Sequence, residues 1–186
     1  MNVISIFGVP FSVRGLSKLL NKNLSIPQLA WFLVLPLSFV PPVLIYYAGT
    51  HYGDSFLPGF GDKDWHFITT ILFLAELLTF FVMGWLIHSV LEGKGFAVSY
   101  HDTYFLAAIA PLPLWLSSFA LLVPVLMINV MVVTVALALS IALVYQGSKA
   151  LTQGKENDLL SMSVTYTIMA AAFLAWVLLL VIVWAY

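Results

Sequence analysis

Glu76 is the residue whose surroundings invite chemistry first. It lies about nine residues into an apolar run that starts at Phe67, where a lone carboxylate would cost about 2.5 kcal/mol or more in hydrocarbon. Thr69, Thr79 and Met83 share its side of a helix. Two chemistries are open. Glu76 is either a proton or cation site facing a cavity, or a protonated carboxyl bonded to a hydroxyl or to a carbonyl freed by a proline. His88, about 120° further round the same helix and near its end, is expected to snorkel toward the interface.

Three further groupings carry less. His51, Asp54, Asp62, Asp64 and His66 gather in one loop, and imidazole with carboxylate suits a divalent ion. Their spacing matches no established ligand motif, so no metal is assigned. Gly59-Phe60-Gly61 reads as a turn, because it neither follows a strand nor opens a glycine-rich helix start. In His101-Asp102 the carboxylate is expected to be an N-cap, and a catalytic dyad there would lack a nucleophile. The chain has no HExxH, GxSxG or P-loop pattern. The expectation is no cofactor and no enzymatic activity.

The elements that position these residues follow from composition. The 186 residues are 62% hydrophobic and 8% charged, against about 45–50% and 25% in soluble domains. A globule of this size could not hide so much apolar side chain; a bilayer can. The net charge of −1 offers no basic surface for nucleic acid. Cysteine is absent, which removes disulfides, thiolate metal sites and thiol nucleophiles.

A span needs about 20 mainly apolar residues. The predicted spans are 28–48, 67–90, 103–122, 123–146 and 163–185. The first begins after Pro27 and is longer than a signal-peptide core, so it reads as a retained span. Thr103 to Ser148 carries no charge, and as one helix would reach about 69 Å. It must be two spans with a tight turn, opened by Pro124. Pro36, Pro41, Pro42, Pro111, Pro113 and Pro124 remove backbone donors and predict helix breaks at membrane depth, kinking the first span near its outer third.

Charge sets orientation. With five spans, Arg14, Lys18, Lys22, Lys94, Lys149 and Lys155 fall on one side and only Lys63 on the other, which predicts a cytoplasmic N-terminus and an external C-terminus. A four-span alternative would put Lys149 and Lys155 outside, against that rule. Residues 1–27 have their own pattern. Val13, Leu16, Leu20 and Leu24 share one helical face while Arg14, Lys18 and Lys22 share the other. This predicts a short amphipathic helix on the cytoplasmic leaflet, or one packed beneath the bundle.

Several short elements along the chain resemble the Yip-one family of five-span membrane proteins, in its short bacterial branch. They are Ile6-Phe7-Gly8-Val9-Pro10; Leu35-Pro36 and Pro41-Pro42, with Tyr47-Ala48-Gly49-Thr50 and Gly53; Ala107-Ala108-Ile109-Ala110-Pro111-Leu112-Pro113; Pro124; and Tyr145-Gln146-Gly147. The resemblance implies five spans, a cytoplasmic N-terminus, an inner-membrane location and no catalytic residues. Eukaryotic members are associated with Rab GTPases and vesicle traffic and carry a longer N-terminal region. That region is missing here, so GTPase binding is not carried over.

The sequence thus predicts an all-α, polytopic membrane helical bundle: a cytoplasmic amphipathic segment over 1–27 and a five-span domain over 28–186. The expected role is association with lipids or with other membrane proteins, including self-association. The alternative is a small proton- or ion-coupled transporter or channel, using the proline-broken helices and Glu76.

Overall fold

The computed structural model describes residues 25–152 and 158–186. The basic face of Arg14, Lys18 and Lys22, and the amphipathic helix expected around it, lie outside the described residues, as does Lys155. All regular structure among the described residues is helical. Five stretches are long and apolar enough to cross a membrane: Ile26–Phe56, Trp65–Gly93, Tyr100–Leu122, Leu126–Leu151 and Leu159–Ala185.

The first span is built of α1 (Ile26–Leu29), a π-helical turn (Ala30–Val34), α2 (Leu35–Ser38) and α3 (Val40–Phe56). Ser25 and Gln28 form a reciprocal capping box at its start. Pro36 explains the π turn. A proline ring would strike the carbonyl four residues back, and the widened turn relieves this by letting Leu35 N–H reach Ala30. Pro41 and Pro42 stand in the opening turn of α3, where no intrahelical donor is needed. The break therefore falls at Phe39, near mid-span.

The helix also continues past Ala48 to Phe56, with a kink at Tyr52 (φ −149°, ψ 27°). Thr50 donates back to Tyr46 O (2.8 Å) and Ser55 to Tyr52 O (2.6 Å). Polar side chains that look like loop residues are bonded onto the helix itself.

The second span is one helix, α4 (Trp65–Gly93), N-capped by Asp64, which accepts from Phe67 N–H at 3.1 Å. The third is α5 (Tyr100–Ile109), α6 (Leu112–Ser117) and a 3₁₀ turn (Ser118–Leu122). Pro111 sits at the join and Pro113 in the first turn of α6. Val123 and Val125 are extended, as the residue before a proline should be. Pro124 thus lies in the turn, and the fourth span, α7 (Leu126–Leu151), begins two residues after it. The fifth span is α8 (Asp158–Ala185).

The third span is central. It packs against the first, second and fourth, and the fifth lies against the second and fourth. Leu106 and Ala108 of α5 have no exposed surface, and Ile87, Leu91, Phe105 and Val164 close around them. Glycines let the helices approach. A Cβ on Gly147 of α7 would sit 2.2 Å from Leu106 Cδ1, and one on Gly84 of α4 would sit 2.8 Å from the Tyr104 ring. A Cβ on Gly49 of α3 would fall 2.2 Å from the Trp65 indole, whose N–H is fixed on Phe60 O (2.8 Å). Gly49, Gly53 and Gly147 of the sequence motifs are close-packing positions.

Asn129 holds the turn between the third and fourth spans. Its amide donates to Val123 O and Val125 O, both at 3.0 Å. Asn129→Ala removes both donors at once and is expected to cost about 1–2 kcal/mol. Thermal unfolding of the purified variant in micelles reads this as a lowered midpoint; an unchanged midpoint means the turn holds without it.

Candidate functional site

Glu76 faces the third span. Trp115 Nε1–H donates to Glu76 Oε2 at 2.8 Å, with Trp115 buried and Glu76 partly exposed. A buried indole N–H needs an acceptor, and in this apolar setting the carboxyl supplies it. The bond joins α4 to α6, the short helix just beyond the Pro111–Pro113 break.

Thr69 and Thr79 do not share the site. Thr69 Oγ1 donates to Trp65 O (2.6 Å) and Thr79 Oγ1 to Ala75 O (2.7 Å), each closing on its own helix. The helix breaks do come together. The segments around Ser38 and Pro41–Pro42 pack on α6 and on α4, so the prolines of the first and third spans flank one region. There Phe39 meets Phe73 edge to face at 5.1 Å, and Ser38, with no exposed surface, donates to Leu35 O at 3.2 Å.

The Lys63 side of the bundle is tied by polar and aromatic contacts. Tyr52 O–H donates to Leu121 O. Tyr46 Oη and His66 Nε2 are 3.0 Å apart. Lys63 Nζ stands over the rings of Phe60 and Trp184, 5.6 and 6.0 Å from their centres. Asp64 N–H donates to Tyr186 O (3.3 Å). Of the loop residues whose types suit an ion, His51, Asp54, Asp64 and His66 are separately engaged. Asp54 accepts from Gly61 N–H (2.9 Å), and His51 Nδ1 lies 3.0 Å from Tyr47 O. No three His, Asp or Glu side chains converge among the described residues. Tyr52→Phe is expected to cost about 0.5–1.5 kcal/mol, read as a lowered unfolding midpoint; no change would mean that Leu121 O finds another donor.

Two local expectations are corrected. Asp102 is not the N-cap of the third span: Ser99, extended, accepts from Asp102 N–H at 3.1 Å, and Asp102 lies in the first turn with its carboxylate 3.1 Å from His101 Nδ1. His88 does not snorkel. It is buried, stacked on Tyr100 with ring centres 3.6 Å apart, and its Nε2 is 3.4 Å from Glu92 Oε2.

Sequence reasoning passed over Trp115 and Asn129. Both carried a signal. A tryptophan inside a span implies an acceptor, and a lone asparagine just after a turn proline implies orphan carbonyls.

Five helices long and apolar enough to cross a membrane define a multi-pass membrane protein. The Yip1 domain matches residues 11–185, and the chain belongs to that family. Neither the curated proteins nor the solved structures contain a match to it.

Proposed function

We propose that the chain is a non-enzymatic integral protein of the bacterial inner membrane, acting by association with lipids or other membrane proteins. The observation that carries this reading is the outward face of the fourth and fifth spans. Met127, Val130, Met131, Val135, Phe173, Leu174, Leu178 and Val181 are all exposed there, while the polar side chains nearby close on internal partners. Such a surface fits acyl chains or other apolar helices. The N-terminus is assigned to the cytoplasm and the C-terminus to the outside, because Lys94 and Lys149 share one side of the bundle and Lys63 occupies the other. Residues 28–186 are assigned to the membrane domain.

Orientation is testable because the chain has no cysteine. A single Tyr186→Cys should react with an impermeant maleimide on intact cells, and Gly95→Cys only after permeabilisation; the reverse pattern would invert the topology. Cross-linking in native membranes tests association: a chain recovered only as monomer, without lipid or protein adducts, would end this reading.

A small proton- or ion-coupled transporter or channel is the second reading. It is favoured by the proline breaks of two spans meeting beside Glu76. Flux through reconstituted liposomes that disappears in Glu76→Gln would favour it over association; no flux in the parent protein would remove it.

A further inference from the structure

The surroundings of Glu76 have a character that neither reading uses. Only one carboxyl oxygen is engaged: Oε2 accepts from Trp115, and Oε1 has no hydrogen-bond partner among the described residues. The side chain is partly exposed. Around it stand aromatic rings. Phe73 lies one turn earlier on the same face, Phe39 meets Phe73 edge-on at 5.1 Å and is 52% exposed, and Trp115 holds the carboxyl from the third span.

We propose that Glu76, Trp115, Phe39 and Phe73 form a binding site for a lipophilic organic cation, an ammonium or phosphonium reaching it sideways from the bilayer. The chemistry selects that class. In a low-dielectric setting a carboxylate attracts a cation strongly, and aromatic faces add quadrupole attraction. A hard inorganic cation would need several oxygen ligands in place of its water, whereas no group of three acidic or imidazole side chains converges here among the described residues. A lipophilic cation gives up little hydration and already partitions into the membrane. Phe39, on the half-exposed rim, is where it would enter. Trp115 is a positioning residue: its N–H on Oε2 fixes the carboxyl so that Oε1 is left for the ligand.

The inference goes beyond the association reading and requires no flux, so equilibrium binding tests it separately. The full chain in nanodiscs of uncharged lipid is titrated with tetraphenylphosphonium, with empty nanodiscs subtracting simple partitioning. Tetraphenylborate, of the same shape and opposite charge, is the control. Saturable binding of the cation alone is expected. Glu76→Gln should weaken it about tenfold or more, and Phe39→Leu, at a half-exposed position and with its fold checked by circular dichroism, about threefold or more. Absence of saturable binding, equal saturable binding of the anion, or wild-type affinity in Glu76→Gln overturns the proposal. Should Glu76→Gln fail to fold, an unchanged affinity in Phe39→Leu overturns it alone.

Discussion

Leu106→Ala should destabilise the bundle by about 2–3 kcal/mol and Gly147→Ala by about 1–3 kcal/mol, while the double variant costs less than their sum. The two positions meet where the third and fourth spans cross. Leu106 has no exposed surface, and a Cβ on Gly147 would lie 2.2 and 2.8 Å from its two methyl carbons. Gly147→Ala alone must push a fully enclosed side chain. Leu106→Ala alone leaves a void. In the double variant the new methyl enters space that the leucine has vacated. Hydrocarbon is as apolar as leucine, so the transfer part of the cavity cost largely cancels in a membrane and the lower end of the soluble range applies. Reversible unfolding in bicelles measures all three variants; strictly additive losses would show that the contact is not what sets the spacing of α5 and α7.

Breaking the Glu76–Trp115 bond from either side should cost about 1.5–3 kcal/mol, since each single change strands a polar partner. Glu76→Leu leaves the Trp115 indole N–H without its acceptor in a buried position. Trp115→Phe leaves Glu76 Oε2 without its donor. Replacing both by apolar groups removes the stranded partner as well, and such paired changes approach neutrality. The coupling energy is therefore expected at about 0.6–1.7 kcal/mol, the range found for hydrogen bonds between membrane helices. The same unfolding assay gives the cycle. Zero coupling would mean that α6 is held on α4 by packing alone.

The number and order of spans were legible because each needs a long apolar run, and the charge-free stretch from Thr103 to Ser148 is too long for one helix. Glu76 was legible as costly in such a run. Its partner was not, because the bond reaches 39 residues along the chain and local pattern carries no such distance. Composition also misplaced ends. Thr50, His51, Tyr52 and Asp54 read as loop, yet a helix kinked at Tyr52 takes them in, with Thr50 and Ser55 donating to carbonyls three or four residues back and Tyr52 to Leu121 O. Thr69 and Thr79 sit on Glu76's side of the helix, two turns and under one turn away, but each hydroxyl closes on its own i−4 carbonyl. Proline marked most interruptions but not their form, and the kink at Tyr52 has no proline beside it. Pro36 gave a π turn, Pro41 and Pro42 a fresh helix start, and Pro124 a turn between spans.

The three-residue turn at Val123–Val125 bears on how the chain enters the membrane. A third span interrupted by Pro111 and Pro113 has backbone carbonyls that its own helix leaves without donors, and lipid offers them nothing. Released singly from the translocon, it would be a poor solute. The fourth span follows almost at once, so the two can leave as a hairpin, with Asn129 already bridging the corner. The fifth span differs: only 6% of its most apolar stretch is covered by the rest of the fold. It can partition unaided and dock last, and the order of synthesis becomes the order of assembly.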